Sequence, residues 1–269
     1  MKSMNKSFTL AMAAIVAVMA LAACSGSGSK LEDYVSTVNK ECPADFEIGT
    51  LNSVEIVGDN VVFNYKANGE MFPVDKIKGD VDLAKDVWLM SFTADNNDKK
   101  RDFFNQIVAG GKGVKVCFAG EQQGSQFEIN YSNEQVKALD LKPAAPGKQV
   151  ETLVKLNKLL LPAKFDEATT LVDMNIEEGF VTYIYDIDES IVKISDMEAN
   201  VFSRREMIIE GMRNVFNSTM SPAESFFKLV AVAGKGVRYQ YKGNETGKNL
   251  NIDVTNTELR QLASAKSPM

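Results

Sequence analysis

The sequence predicts an α+β protein of two tandem repeats, each a roughly four-stranded antiparallel sheet with helices on one face. The motif Gly-Lys-Gly-Val stands at 111–114 and again at 234–237, and an offset of 123 residues aligns 103–139 with 226–262 without a gap. Eleven of these 37 positions are identical, which indicates a duplication. Segments that alternate apolar and polar residues stand between segments with apolar residues at helical spacing. We therefore expect each sheet to bury one face under its helices and to leave the other face open.

The first 29 residues carry signals of export and lipid attachment. Residues 1–23 combine two lysines with an apolar run that is too short for a mature membrane span, which indicates a signal peptide. The run ends in Leu-Ala-Ala before Cys24, and residues 24–29 form a flexible tether rich in Ser and Gly. Small residues before a cysteine resemble the bacterial lipobox, which implies a lipidated Cys24 with acyl chains as the anchor. Ordinary secretion with an incidental cysteine is the alternative.

The first repeat, residues 30–142, is predicted to begin with a helix that ends before Cys42-Pro43, because the residue before proline disfavours the helical conformation. Two alternating strands follow around a turn at 58–60, and glycines end the next helical region. A last pair of strands leads to a short helix for which Ser132 is the N-cap. The predicted segments are a helix to 41, strands at 54–56 and 61–65, helices within 76–108, strands at 114–118 and 127–131, and a helix at 132–139.

The second repeat covers 148–264 and follows a proline-containing linker at 143–147. Its first helix is predicted at 148–160, and its strands follow the same alternation as those of the first repeat. A helix at 196–217 has the clearest periodicity, and Ser221-Pro222 is predicted to begin another. The apolar stripe of the helix at 196–217 consists of Phe202, Ile208, Ile209, Met212, Val215 and Phe216.

The composition limits the chemistry that the protein could perform. The chain has 269 residues, of which 45% are apolar, a formal net charge of −6 and no histidine. Without histidine there is no Ser-His-Asp or Cys-His catalysis and no imidazole metal ligand. No block of one charge sign stands out, so the charge argues against nucleic acid as a partner.

Cys42 and Cys117 both lie in the first repeat. An even pair of thiols in an oxidising compartment could form a disulfide, provided that the two Cα atoms lie within about 7 Å. The corresponding residues of the second repeat are Leu161 and Gln240, so the fold does not require a bridge. A disulfide and two free thiols both stay open, whereas a catalytic thiol is disfavoured by the absence of histidine.

Two motifs suggest ligand sites but favour structural roles. A phosphate loop follows a strand and opens a helix, whereas the glycines at 111–113 close a helix and open a strand, with no hydroxyl residue after the lysine. Asp186, Asp188 and Glu189 resemble the start of a calcium loop, but the glycine and the closing glutamate are missing. We therefore expect a solvated strand exit there, and neither a metal site nor a cofactor.

The open faces of the two sheets are the candidate binding surface. Uncharged polar residues on a rigid sheet suit recognition, whereas solvation or packing of one repeat on the other is the alternative. We expect Tyr239 and Tyr241 to point into the core. The candidate binding residues are Asn64, Lys66, Lys115 and Gln126 in the first repeat and Asn175, Thr182, Arg238, Gln240, Asn249 and Asn251 in the second.

The lipobox and the two repeats together resemble envelope lipoproteins of the Bacteroidetes type with a tandem-duplicated α+β domain. The serine after Cys24 implies, by this resemblance, the outer membrane, and the absence of an acidic run there favours its periplasmic face. The layout is also similar to that of β-lactamase-inhibitor-type proteins. The resemblance supplies no catalytic residue, and it is carried by Asn157, Leu161-Pro162, Asp166, Thr170-Leu171 and Tyr183-Ile-Tyr185.

These patterns predict a membrane-tethered periplasmic lipoprotein that acts as a non-enzymatic binding or interaction module, with an inhibitor-like role among the options. The expected partners are the membrane, through the N-terminal lipid, and an envelope protein or another extracytoplasmic ligand, but not nucleic acid. The alternatives are an envelope enzyme that uses carboxylates and a structural envelope component. An inward-facing polar cluster shared by distant segments would favour the enzyme, and the sequence reveals none.

Overall fold

The structure is a computed structural model that describes the greater part of the chain, in two compact units at 30–144 and 145–265. The predicted signal peptide at 1–23, Cys24 and the tether at 24–29 lie outside the described residues. No helix within the described residues is both long enough and apolar enough to cross a membrane. The described ranges are 30–46, 48–69, 71–94, 97–120, 124–218 and 222–265.

The first unit begins with a helix, as predicted, and its caps follow from local sequence. Asp80 accepts a hydrogen bond from the Leu83 N–H at 3.0 Å, and Ser132 and Gln135 form a capping box. The elements are α1 (Lys30–Lys40), β1 (Ala44–Phe46), β2 (Gly49–Val57), β3 (Asn60–Ala67), α2 (Val74–Ile77), α3 (Val81–Thr93), α4 (Asp98–Ala109), β4 (Gly113–Ala119), β5 (Gln126–Tyr131) and α5 (Asn133–Ala138).

The second unit repeats this order with two departures from the predicted boundaries. Its first helix begins at Pro146, inside the predicted linker, because proline suits the first helical position. The predicted helix at 196–217 is broken at Asn200, whose side chain donates to the Asp196 carbonyl at 2.8 Å and so competes with the helical backbone. The elements are α6 (Pro146–Lys158), β6 (Ala163–Lys164), β7 (Thr169–Glu177), β8 (Phe180–Ile187), α7 (Ile194–Ala199), α8 (Val201–Asn217), α9 (Pro222–Val232), β9 (Gly236–Gly243), β10 (Asn249–Val254) and α10 (Asn256–Ser264).

Each unit contains one five-stranded mixed sheet, with the orders β1-β2-β3-β4-β5 and β6-β7-β8-β9-β10. The α+β class is confirmed, but the expectation of four antiparallel strands is corrected in two respects. The extra strands β1 and β6 have three and two residues, too few for alternation to be visible in the sequence. The pairs β3–β4 and β8–β9 are parallel, because the helices between them return the chain to the end where the first strand began.

The central strands occupy equivalent places in the two sheets. Val114 on β4 pairs with Val61, and Val237 on β9 pairs with Val181. The two strands also hold the same position when each sheet is counted from its short edge strand. The segments 113–118 and 236–241 are thus strands of equivalent order, as a duplication predicts.

The repeated Gly-Lys-Gly motif is a turn from helix to strand, as predicted. Gly111 and Gly234 have φ angles of 68° and 75°, a left-handed conformation that glycine adopts without steric cost. At Gly113 and Gly236 a Cβ atom would come within 2.5 and 2.6 Å of a carbonyl oxygen at the end of the edge strand. The first glycine therefore ends the helix, and the second allows close approach of the neighbouring strand.

The same pair of contacts holds this turn in both units. The Asn133 amide donates to the carbonyl oxygens of Val108 and Lys112 at 3.2 and 2.8 Å. The Asn256 amide makes the corresponding two bonds, both at 2.9 Å, in the second unit. The asparagine that the two repeats share thus bonds the end of one helix to the start of the next.

Trp88 lies at the centre of the first core. Its ring centroid lies 5.9 Å from that of Phe63, 5.6 Å from Phe92 and 5.6 Å from Tyr131. Because Trp88 is fully buried and is the sole tryptophan of the chain, its fluorescence reports on the first unit.

The second core is lined by tyrosines and is covered less completely by its long helix. Tyr239 is buried as predicted, and Tyr241 is half-buried on the same face of β9. Of the residues of α8, all of which the structure describes, Met212 alone is buried. The predicted stripe is therefore corrected, since Phe202 is 83% exposed and the members other than Met212 are half-buried. Spacing identifies an apolar face but not how far neighbouring elements cover it.

Candidate functional site: the open sheet faces

The open face of the second sheet is arranged in cross-strand rows. One row joins Asp253, Arg238, Thr182 and Asn175 across β10, β9, β8 and β7. Residues directly opposite one another share a face, so these four side chains lie on the side away from Tyr239. The predicted binding residues of the second repeat therefore do lie on one face, but they fall into two groups with different surroundings.

Arg238 is the centre of a closed polar cluster. Its Nε and Nη2 donate to the two carboxylate oxygens of Asp253 at 2.8 and 2.9 Å, and its Nη1 donates to Glu178 at 2.9 Å. The guanidinium also lies over the Phe180 ring, 4.7 Å from its centroid. These bonds, first to Asp253 and then to Glu178, raise the pKa of Arg238 above its ordinary value. The Arg238 side chain is only 16% exposed, so this arginine already has its partners within the chain.

Thr182 and Asn175 were predicted to belong to an exposed binding surface, but their polar atoms are largely buried within the sheet face. Thr182 is 2% exposed, which corrects its assignment to an accessible binding surface. Its Oγ1 and the Asn175 Oδ1 are buried without a hydrogen-bond partner among the described residues, and the Asn175 amide donates to Glu177 at 2.6 Å. Burial follows because Arg238 and Asn175 flank Thr182 in the same row. This part of the face is an internal cluster, which alternation could not reveal.

The other part of the face contains side-chain amides that form no hydrogen bond with the described residues. Gln240, Asn249 and Asn251 are called here the amide patch. Asn251 lies opposite Gln240, and Asn249 lies opposite Lys242. Both asparagines are exposed and Gln240 is half-buried. The three amide groups form no hydrogen bond with any part of the chain that the structure describes. The amide patch therefore keeps its donors and acceptors for solvent or a partner.

The open face of the first sheet is largely paired within itself. Lys115 donates to the Glu128 carboxylate at 3.0 and 3.2 Å, and this bond lowers the pKa of Glu128. Asn64 donates to Ser53 at 2.9 Å. The two exposed candidates, Lys66 and Gln126, flank Ala119 in one row.

The two described cysteines are free thiols, so the disulfide between Cys42 and Cys117 is not formed. Cys42 follows α1 and lies near the buried Tyr65, on the helix-covered side of the sheet. Cys117 is in register with Asn64 and Glu128 on the open side. The two thiols thus lie on opposite faces of one sheet, which their sequence positions did not show. Partial burial raises the pKa of both, which keeps them protonated at neutral pH.

The three acidic residues at the end of β8 have different surroundings. Asp186 lies within β8, Asp188 accepts from the Ser190 N–H and hydroxyl at 3.0 and 2.6 Å, and Glu189 is 1% exposed. No group of three metal-ligating side chains is found in the described ranges. The expected solvated exit is therefore corrected at Glu189, because a loop distant in sequence covers it.

Glu189 is bound by the loop between β9 and β10. Its carboxylate accepts from the Thr246 N–H at 2.6 Å, the Thr246 hydroxyl at 3.0 Å, the Glu245 N–H at 3.1 Å and the Ile194 N–H at 3.4 Å. The Thr246 N–H contributes most to a pKa below the ordinary value for glutamate. A Cβ atom on Gly243 would lie 2.4 Å from this carboxyl group, so the glycine makes room for it. Glu189 is thus a structural anion that joins two loops.

Comparison with known proteins leaves the function to be argued from these residues. No family model and no curated protein matches the chain. A solved structure with partial similarity is the crystal structure of a candidate secreted protein from Pseudomonas aeruginosa. The two share 14% sequence identity with a TM-score of 0.35, and the match covers 43% of this chain and 93% of the other. A similarity of that size adds nothing to the assignment.

Proposed function

We propose that this protein is a non-enzymatic interaction module, attached to the periplasmic face of the outer membrane by a lipid on Cys24, that binds an envelope protein through the amide patch. The anchor is supported by the Leu-Ala-Ala-Cys ending of the signal segment and the tether that follows. The binding role is supported by one observation above all, that three neighbouring amide side chains on a rigid sheet have no partner among the described residues.

The chemistry of the amide patch suits a protein partner. A carboxamide both donates and accepts hydrogen bonds, as do the peptide groups and polar side chains of another protein. Ile184 lies half-buried beside Gln240 in the same row, which adds an apolar contact. Lys242 and Asp186 are neighbours in the next row, so their charges offset one another. A neutral, hydrogen-bonding surface with a small apolar centre is typical of a recognition surface.

The difference between the two repeats favours the second as the binding unit. The residues that correspond to Gln240 and Asn251 are Cys117 and Glu128, and Glu128 is already paired with Lys115. Duplication has thus retained the turn and cap contacts in both units while the open faces have diverged. A surface that diverges on a retained scaffold is expected where one copy has acquired a partner.

The alternative of an enzyme that uses carboxylates has less support. Among the described residues, Glu189 is the one fully buried carboxylate. Both of its oxygens already accept hydrogen bonds from Thr246, Glu245 or Ile194. A carboxylate so occupied is poorly placed to accept a proton from a substrate.

Site-specific photo-crosslinking in cells tests the proposal. The photoreactive residue p-benzoylphenylalanine replaces Asn251 on the amide patch and, as the matched control, Asn214 on α8. Both asparagines are exposed, so neither change is expected to affect folding. We expect a discrete crosslinked envelope protein from position 251 that is absent from position 214.

A second substitution tests the contact chemistry. Gln240→Arg, introduced into the chain that carries the photoreactive residue at 251, should abolish the product by placing a charge in the neutral patch. Products that are the same at 251 and 214, or a product that survives Gln240→Arg unchanged, would remove the amide patch from consideration.

A further inference from the structure

The strand β10 forms one edge of the second sheet, and the outer side of its main chain has no neighbouring strand among the described residues. It pairs with β9 alone. The Gly243 N–H donates to the Lys248 carbonyl at 3.0 Å, which fixes the hydrogen-bonded pairs of this antiparallel ladder. Because such pairs alternate along a ladder, Leu250, Ile252 and Val254 direct their N–H and C=O groups toward β9.

The residues between these three direct their main-chain groups away from β9. Asn249, Asn251 and Asp253 each present an N–H and a C=O to the free edge, and no hydrogen bond from another described residue reaches these groups. The parallel ladder agrees with this register, because the Gly236 N–H donates to the Gly179 carbonyl at 2.9 Å and so assigns the even-numbered residues of β9 to β8. The helices α7 and α8 lie near β10 but leave both asparagines exposed.

The free edge and the amide patch share two residues. Asn249 and Asn251 offer hydrogen-bonding groups from the main chain at the edge and from the side chain on the open face. An exposed edge strand is a template for another chain, and proteins commonly protect it with charge, proline or a covering segment. β10 contains no proline and no lysine, and its one charged residue, Asp253, is already paired with Arg238. The edge is therefore both open and neutral.

The corresponding edge of the first sheet carries charge. The strand β5 holds the equivalent place, and the Gly120 N–H donates to the Ser125 carbonyl at 2.7 Å, which directs the main-chain groups of Glu128 outward. Glu128 is exposed and, with its partner Lys115, places two charged side chains beside this edge. The second sheet has the neutral Asn251 at the position of Glu128. Since a charge on an edge disfavours strand pairing, the two edges differ in their capacity for it.

We infer that the partner of the amide patch binds by strand addition, in which an uncharged extended segment of that protein pairs with the free edge of β10 and places polar side chains beside the patch. This inference rests on the proposed function and specifies how the partner binds. Main-chain hydrogen bonds hold an added strand, and its alternate side chains provide specificity. A second copy of the chain would bring its own α7 and α8 to the same edge, whereas an extended segment of another protein brings no such bulk.

Replacing Asn251 with proline tests the main-chain contacts, and Asn251→Ala is the matched control. Both variants lack the amide, but only proline also lacks the N–H. Because this N–H points away from β9, both variants should keep the ladder, and their thermal midpoints should agree within about 4 °C. With p-benzoylphenylalanine in place of Asn249, we expect about tenfold less crosslinked product from Asn251→Pro than from Asn251→Ala, since proline removes a donor and its ring obstructs the incoming strand.

A map of the crosslinks keeps the test decisive if Asn251→Pro folds poorly. The photoreactive residue replaces Asn249 in one chain and Asn251 in another, with no other change, and mass spectrometry locates the attachment sites in the partner. Residues two apart on a strand are separated by about 7 Å, so the two attachment sites should lie within about four residues of one another. Attachment at distant parts of the partner, or to a second copy of this chain, overturns strand addition.

The outcomes separate this inference from the proposed function. The absence of a product from both 249 and 251 contradicts both. A product from 251 that is lost in Gln240→Arg, with none from 249, supports the amide patch and overturns strand addition. The same holds for a product from 249 that forms equally in Asn251→Pro and Asn251→Ala.

Discussion

Arg238 offers the sharpest test of how the open face of the second sheet is organised. Seen from the sequence, it is an exposed strand residue, and a substitution there should leave stability nearly unchanged. In the structure it forms a bidentate pair with Asp253, a third bond to Glu178 and a stacking contact with Phe180. Replacing Arg238 with Met keeps most of the aliphatic stem and removes all of these polar contacts. The two views therefore predict different stabilities for one variant.

The expected loss of stability in Arg238→Met depends on how far each contact of Arg238 is shielded from solvent. Glu178 is 75% exposed, so solvent screens its ion pair with Arg238. We therefore expect this pair to contribute little to the free energy of unfolding. The pair with Asp253 is bidentate and better covered, with side-chain exposures of 16% and 35%. Together with the contact to the Phe180 ring, we expect the free energy of unfolding to fall by about 2 kcal/mol. Arg238→Glu should cost more, since it places a third carboxylate beside Asp253 and Glu178.

Scanning calorimetry measures the effect, and Trp88 fluorescence identifies the transition of the first unit. For a unit of this size, about 2 kcal/mol corresponds to a decrease of roughly 6–10 °C in the midpoint of the second unit. Lys242→Met is the matched control, because Lys242 is an exposed cation on the same strand. Its effect should stay within about 0.5 kcal/mol, as is usual for exposed positions.

A double-mutant cycle with Asp253→Asn separates the pair from general effects of the substitution. We expect a coupling free energy of about 1 kcal/mol between positions 238 and 253. If Arg238→Met shifts stability no more than Lys242→Met does, and the cycle shows no coupling, then the closed cluster does not exist in solution. Arg238 would then be an exposed residue, as the sequence alone predicts, and again a candidate for binding.

Three other expectations concern Glu189, the asparagines that the two repeats share, and the lipid anchor at Cys24. Glu189→Gln should lower the midpoint of the second unit at pH 7, because an amide cannot accept at both ends of the carboxylate site. Since folding lowers the pKa of Glu189, its contribution is present above the unfolded pKa of about 4.3 and is lost as pH falls through the folded pKa. Midpoints of variant and wild type should thus converge in acid, and a constant gap from pH 7 to pH 3 contradicts this. Asn133→Ala and Asn256→Ala each remove two hydrogen bonds to carbonyl groups, which should lower the free energy of unfolding of the affected unit by about 1–2 kcal/mol. Only Asn133→Ala should shift the unfolding transition that Trp88 fluorescence reports. Cys24→Ser should release the protein from membranes, and unmodified Cys24 found by mass spectrometry in the membrane-bound mature protein would sink the assignment.

The features that could be predicted from the sequence depend on short-range chemistry. The turn at Gly111 and Gly234 follows from the freedom of glycine at positive φ, and the caps at Ser132 and Thr255 follow from a side chain that reaches an N–H three residues on. The duplication was visible because an ungapped offset preserves these local signals together. The same alternation divided the longer strands between a helix-covered and an open face, although Thr182 on the open face is buried.

The elements that could not be predicted depend on packing between distant segments. The strands β1 and β6 exist because neighbouring strands pair with them, since two or three residues carry no periodicity of their own. The parallel direction of β4 and β9 is set by the path of the helices that precede them. The poor coverage of α8 is likewise a property of its neighbours and not of its own apolar spacing.

For the candidate site, the sequence determined which face each side chain lies on, and only the tertiary structure decided which of those side chains is free. Arg238 finds its carboxylates 15 and 60 positions away, and Glu189 finds its donors 56 and 57 positions away. Such partners are brought together by strand register and loop closure, which no local pattern encodes. Alternation therefore placed Arg238 and Gln240 on one face with equal weight, and the register across that face left Gln240 open while it closed Arg238 against Asp253.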